Sequence, residues 1–112
     1  MAVLLPAEWA PQRAVQLTWP RPDGDFAAHF AAVEATFIAL AVAITRHLDL
    51  IVACGPEREA LRTRLLEAGA VAARLQLFVA PANDVWARDH GPITVLRDGA
   101  PVHLDFTFNG WG

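Results

Sequence analysis

Ten consecutive residues, 83–92, carry the side chains of this chain that are best suited to chemistry. Two carboxylates, an amide, an indole, a guanidinium and an imidazole lie within this run, and a Gly-Pro pair closes it. A carboxylate can accept paired hydrogen bonds from a guanidinium, and an indole can stack on that flat cation. The run therefore predicts a receptor for a planar organic cation, with Asp89 and Trp86 as its leading residues.

Each of these residues also has a structural interpretation. Asp89 could cap a turn and Trp86 could fill a core instead of contacting a ligand. Asn83 and Asp84 could bind ligand, or they could shape the loop through bonds from side chain to backbone. Arg88 could contact a ligand or form a salt bridge with a neighbouring carboxylate. We expect Asn83, Asp84, Trp86 and Asp89 to bind substrate.

Other reactive side chains give weaker hypotheses. His90 and His103 suggest a metal site together with Asp89 and Asp105, but their spacing matches no established ligand pattern. We therefore expect no metal. Cys54 ends an apolar stretch without a local base, which favours a small buried side chain over a nucleophile.

The elements that would position this run alternate between strands and helices. Residues 14–19 alternate apolar and polar side chains and end at Pro20, and Asp23 or Asp25 could cap the helix that follows. We expect strands at 14–19, 50–54, 74–79, 93–96 and 102–108, helices at 25–48 and from Pro56 to Gly69, and a hairpin turn at 97–100. Strands alternating with helices predict an α/β fold, and Trp19 at a strand end is expected in the core.

The composition narrows the class of protein. The chain has 112 residues, 54% of them hydrophobic, and a net charge of −3 with no Lys. Neither a basic nucleic-acid footprint nor a basic amphipathic helix is present, so we expect no nucleic-acid or membrane partner. A single cysteine fits a reducing compartment, and residues 1–13 have no basic region or long apolar core typical of a secretory signal, so we expect a cytoplasmic location. So much apolar surface is hard to bury in a domain of this size. We therefore expect the chain to cover another chain segment or to self-associate.

Four blocks of the sequence together resemble the agmatine deiminase family, which includes the Porphyromonas-type peptidyl-arginine deiminases. They appear in the family's order along the whole chain: Leu5-Pro6-Ala7-Glu8-Trp9, Leu17-Thr18-Trp19-Pro20, residues 83–92, and Asp105-Phe106-Thr107-Phe108-Asn109-Gly110-Trp111-Gly112. The resemblance implies a pentein fold, an α/β propeller of ββαβ-type units. Residues 1–112 would be the N-terminal part of the deiminase domain, roughly one and a half units.

The resemblance also implies hydrolysis of a guanidinium to a ureido group and ammonia without metal or cofactor. The substrate would be agmatine, giving N-carbamoylputrescine in polyamine metabolism, or peptidyl-arginine, giving citrulline. Asp89 matches the family's first guanidinium-binding aspartate, and Trp86 matches the tryptophan that lines the pocket. The family's His-x-Asp motif and nucleophilic cysteine are not in this sequence. The chain would therefore hold no catalytic residue, and the alternative is a non-catalytic module that folds or oligomerises and at most binds cations.

Overall fold

The computed structural model of the protein describes residues 2–110 and has the mixed α/β character expected from the sequence. Its chain divides into two compact units, Gln12–Val85 and Met1–Pro11 with Trp86–Gly112. The elements in chain order are β1 (Val3–Leu4), β2 (Ala14–Thr18), α1 (Phe30–Thr45), β3 (Asp49–Cys54), α2 (Arg58–Ala68), β4 (Leu75–Val79), α3 (Ala87–His90), β5 (Ile93–Arg97) and β6 (Ala100–Leu104), with 3-10 turns at Ala27–His29 and Ala72–Arg74.

The contiguous unit, Gln12–Val85, contains a three-stranded parallel sheet in the order β2-β3-β4. The register places Leu50 of the central strand between Val15 and Leu75. Helices α1 and α2 make the two crossovers and contact each other and the sheet. The carboxyl ends of all three strands consequently lie at one edge, which is where ligand sites form in open α/β sheets.

The core lies between this sheet and its two helices. Alternate residues of the strands point to one face because side chains alternate along a strand. Leu50 and Val52 of β3 are fully buried there with Leu65 of α2 and Ala41 of α1. Truncating a buried leucine such as Leu65 to alanine typically costs about 2–5 kcal/mol. This packing holds the strand ends that carry the candidate site.

The first helix differs from its predicted bounds. It begins as a 3-10 turn at Ala27 and is α-helical only from Phe30 to Thr45, whereas the apolar periodicity predicted residues 25–48. The expected aspartate cap is wrong, because neither helical start has a side-chain cap and Asp23 pairs instead with Arg21 at 2.9 Å. Asp23 therefore forms an ion pair within the turn instead of capping the helix.

The second helix ends where expected and begins later. Gly69 has φ +110 and its N–H bonds to the carbonyls of Leu65 and Leu66, so it terminates α2 in the left-handed conformation that favours glycine. Pro56 lies outside the helix, which begins at Arg58 after Glu57 as N-cap. The prediction that Pro56 occupies the first helical position is wrong by two residues.

The other unit contains an antiparallel sheet in the order β1-β5-β6. The predicted hairpin is present, and Asp98 and Gly99 form its turn with φ values of 50 and 81, the pair of positive angles that a tight two-residue hairpin requires. The last strand ends at Leu104 rather than at the predicted Phe108. Strand β1 was not predicted, because two residues give no periodicity.

Within residues 2–110, one helical stretch is long and apolar enough to span a bilayer by length and composition alone. It runs over the 19 residues Ala27–Thr45, whereas the longest uninterrupted apolar run in the sequence is much shorter. A single helix of this kind is weak evidence for a membrane span, since core helices of soluble proteins pass the same test. Here the helix crosses over between β2 and β3 and contacts β3 and α2.

Candidate functional site

Asn83 and Asp84 lie on the segment that follows β4, at the carboxyl edge of the parallel sheet. They line an open recess, formed by residues 19–21, 24–26 and 82–85, with Asn83 exposed and Asp84 partly buried. Arg21 holds this segment, since its Nη1 donates to the carbonyl of Ala82 at 3.3 Å. The recess encloses only about 10 Å³, which is room for about one water molecule. It is too small to enclose a guanidinium by itself.

Trp19 forms one wall of the recess and is also part of the core. Its side chain is 7% exposed, which confirms the prediction of core packing, and it meets the ring of Phe37 edge-on at 5.5 Å. The indole N–H donates to Glu34 Oε2 at 2.8 Å. The other oxygen of Glu34 pairs with Arg64 at 2.7 Å. Sequence reasoning missed Glu34 entirely.

Trp86 and Asp89 belong to the other unit. The segment was expected to be a loop throughout, but residues 87–90 form one turn of helix with Trp86 as its N-cap. The backbone N–H of Asp89 donates to the carbonyl of Trp86 at 2.9 Å. Trp86 and Asp89 therefore belong to the same short turn, Trp86 as its N-cap and Asp89 as its third residue. Trp86 is 55% exposed and Asp89 is exposed.

The side chain of Asp89 has no hydrogen bond or ion pair within residues 2–110. Its neighbour Arg88 is occupied, since Nη2 contacts Glu8 Oε1 at 3.2 Å. This contact supports the interpretation of Arg88 as a salt-bridge residue, although both side chains are largely exposed and such pairs contribute little stability. The adjacent cation therefore leaves the Asp89 carboxylate available to a ligand.

Cys54 is a core residue. It is 5% exposed and its Sγ donates to the carbonyl of Phe78 at 3.4 Å. Burial raises the pKa of the Cys54 thiol, an effect that Arg58 opposes and Glu57 reinforces. A buried thiol with a raised pKa is a poor nucleophile. The structural interpretation of Cys54 is therefore the correct one.

The two histidines considered for a metal site have separate surroundings. His103 Nδ1 lies 2.8 Å from Thr94 Oγ1 on the paired strand β5, and both side chains are exposed. His90 is partly buried on α3, and its Nε2 has no hydrogen-bond partner within the described residues. Across residues 2–110, no three His, Cys, Asp or Glu side chains are grouped so as to hold a metal ion.

Comparison with known proteins shows which proteins this chain resembles in sequence and fold. Agmatine deiminase of Stutzerimonas stutzeri is 32% identical over 109 residues, which cover 96% of this chain and 28% of that protein. The structure of agmatine deiminase from Enterococcus faecalis is 30% identical with a TM-score of 0.77 over 98% of this chain and 29% of its own. C. jejuni agmatine deiminase, 20% identical over 97% of this chain and 32% of its own, shares the fold with a TM-score of 0.81.

The family model extends the match to nearly every residue. The model of Porphyromonas-type peptidyl-arginine deiminase matches residues 4–112. The chain spans 28–32% of the length of the first agmatine deiminases that it matches. The sequence resemblance to agmatine deiminases is thus confirmed, and the chain belongs to the Porphyromonas-type peptidyl-arginine deiminase family.

Proposed function

We propose that this chain supplies part of the guanidinium-binding site of a guanidino-group hydrolase, which releases ammonia from agmatine or from a peptidyl-arginine side chain. The observation that carries the proposal is an exposed, unpaired carboxylate at Asp89 next to an exposed indole at Trp86, within a chain that belongs to a deiminase family. Relatives with 30–32% identity are named agmatine deiminases, which favours a small guanidino substrate.

Asp89 would bind the cation. A carboxylate accepts two parallel N–H bonds from a guanidinium, and such charge-assisted pairs are roughly twice as strong as neutral hydrogen bonds. Trp86 would stack on the same flat group, a contact that favours cations over neutral ureas. This pairing suits a hydrolase that converts a charged guanidinium into an uncharged ureido product, because the product binds more weakly and leaves.

Asn83 and Asp84 would act at the carboxyl edge of the parallel sheet. Their recess is too small to enclose the guanidinium itself, so their oxygens would meet a substrate only at its surface. The bond from Arg21 to Ala82 fixes the backbone from which both side chains project. We assign them a supporting role in substrate binding, weaker than that of Asp89.

The covalent step of the reaction would need groups beyond these 112 residues. In the mechanism proposed for the family, a thiolate attacks the guanidinium carbon, ammonia departs, and water then hydrolyses the thiouronium to give the ureido product and the free thiol. Cys54 is unsuited to this role, since it is buried and its pKa is raised. The chain would form roughly one and a half ββαβ-type units at the N-terminal end of a pentein propeller, in a cytoplasmic enzyme.

Titration of the 112-residue chain with agmatine, followed by NMR, tests the binding role. We expect saturable shifts at Trp86 and Asp89, and Asp89→Asn should weaken affinity at least about tenfold, since one hydrogen bond to a charged group contributes about 1.5–3 kcal/mol. Asp49→Asn, an exposed aspartate at the start of β3, is the matched control and should bind normally. Unchanged affinity in Asp89→Asn, or no saturable shift in the parent chain, contradicts the proposal.

A non-catalytic module is the second candidate, and the environment of Cys54 favours it for the chain taken alone. A module of this kind would still fold and self-associate through its exposed apolar side chains. Ammonia release distinguishes the two only in a longer protein that carries this segment together with a nucleophile, because the 112-residue chain is expected to release none in either case. Release from agmatine by such a protein, lost in Asp89→Asn, would rule out the module.

A further inference from the structure

Glu34 joins three elements of the contiguous unit. Its Oε2 accepts the indole N–H of Trp19, just beyond β2, at 2.8 Å. Its Oε1 accepts from Arg64 of α2 at 2.7 Å, and the Glu34 side chain is only 16% exposed. Both carboxylate oxygens are therefore committed, one to the sheet edge and one to the neighbouring helix.

The position of this carboxylate is unusual for its helix. Glu34 is the sole charged residue among the 16 of α1. A lone charge on an apolar helix does little for solubility, and a partly buried carboxylate is costly unless its oxygens are hydrogen-bonded. The oxygens of Glu34 bind Trp19 and Arg64. Trp19 also lines the recess that contains Asn83 and Asp84.

The indole of Trp19 has a defined orientation because two contacts act on different parts of the ring. The edge-on contact with Phe37, at an interplanar angle of 84°, restrains the ring plane. The hydrogen bond to Glu34 restrains which edge of the indole faces the helix. A buried tryptophan N–H normally has such a partner, and without it the ring could turn within its site.

We propose that Glu34 is a positioning residue for the candidate site. It fixes the indole of Trp19 and thereby the wall of the recess beside Asn83 and Asp84. Arg64 contributes to this positioning, since its ion pair holds the Glu34 carboxylate where it can accept the indole N–H. The consequence for substrate binding rests on the proposed function, whereas the control of the recess by Glu34 does not.

NMR of the 112-residue chain tests the positioning role without any ligand. The Trp19 indole signal is assigned by its loss in Trp19→Phe. In Glu34→Ala we expect this indole N–H to exchange with solvent at least about tenfold faster, since hydrogen bonds to charged groups exceed neutral ones in strength. The amide signals of Asn83 and Asp84 should shift with it. Glu34→Gln keeps a carbonyl acceptor and should restore the indole signal.

Two further variants separate positioning from stability. Thr45→Val removes a buried hydroxyl near the far end of α1, 11 residues from Glu34 or about 16 Å along the helix. It should lower the melting temperature and leave the Trp19 indole signal unchanged. Arg64→Met leaves the Glu34 carboxylate as the acceptor of the indole N–H but removes the ion pair that holds this carboxylate in place. We expect the Trp19 indole signal to broaden or shift, by less than in Glu34→Ala.

Unchanged indole exchange and unchanged amides of Asn83 and Asp84 in Glu34→Ala would overturn the proposal. If Glu34→Ala does not fold, Arg64→Met decides, and an indole signal identical to the parent in that variant would also overturn the proposal. Agmatine titration of the folded variants then adds the functional test, with weaker binding expected in Glu34→Ala. A parent chain that binds no agmatine would contradict the proposed function while the effect of Glu34 on Trp19 still stands.

Discussion

Thr45→Val gives a quantitative test of how the second half of the contiguous unit is attached to α1. Thr45 is fully buried, and its Oγ1 accepts the backbone N–H of Val71 at 3.0 Å while lying 3.0 Å from the carbonyl of Ala41. Valine has nearly the same shape, so the change removes the hydroxyl without opening a cavity. The Val71 N–H, which leads into β4, then has no partner in the protein.

An unpaired donor of this kind costs about 1–3 kcal/mol. Because Val71 is 39% exposed, water can partly replace the lost bond, and we expect about 1–2 kcal/mol. For a domain near this size, each kcal/mol lowers the melting temperature by roughly 4–8 °C. Urea denaturation at unchanged slope measures the free-energy difference directly, and hydrogen exchange at Val71 reports the particular amide.

Thr36→Val is the matched control on the same helix. Its hydroxyl also bonds the carbonyl four residues earlier, that of Ala32 at 3.1 Å, but it is exposed and accepts no backbone N–H. Surface substitutions of this type usually change stability by less than about 0.5 kcal/mol. Equal losses in the two variants would refute the reasoning, because the effect would then come from the helix and not from the bond to Val71.

The remaining predictions concern activity, association and the thiol. The 112-residue chain should release no ammonia from agmatine, and release above a blank would contradict the assignment of Cys54 to the core. In an enzyme that carries this segment together with a nucleophile, Asp89→Asn should lower kcat/KM at least about a hundredfold. An unchanged melting temperature would accompany this loss, whereas near-normal kinetics with a lowered melting temperature would favour a turn cap. The isolated chain should self-associate, since Trp9 and Phe106 are 89% and 65% exposed; a clean monomer by light scattering at high concentration would count against this. Because burial raises the pKa of Cys54 above its ordinary value of 9.0, folding disfavours the thiolate, and stability should be lost as pH rises past that value. Cys54→Ala should remove this part of the pH dependence in alkaline urea titrations.

The contiguous unit was largely predictable because its elements have strong local signals. The apolar spacing of α1 and the alternation of β2 come directly from the sequence, and Gly69 ended α2 as a left-handed cap should. Helix starts were less predictable, since Asp23 could serve either as a cap or as the partner of Arg21. That choice depends on the turn geometry rather than on residue type.

Contacts between distant residues could not be predicted. Glu8 and Arg88 are 80 positions apart, and nothing in either segment identifies the other. In the sequence Glu34 looks like an ordinary helix residue, and only the fold shows that Trp19 and Arg64 bind its two oxygens. The chemistry of Asp89 was suggested by residue type, but the helical turn that carries it was not, because four residues are too few for a helical period.

One compact unit is built from a single continuous segment of the chain and the other from two distant segments, and this gives the two units different folding requirements. The parallel sheet and its helices use one unbroken stretch, so their formation requires no residue beyond Val85. In the other unit, Ala2 donates to Asp98, 96 positions away. Strand β1 must therefore stay unpaired until β5 emerges, and its ladder of two residues must offset the entropy of closing that long loop. We expect strand β1, Val3–Leu4, to be the last element of this unit to become ordered.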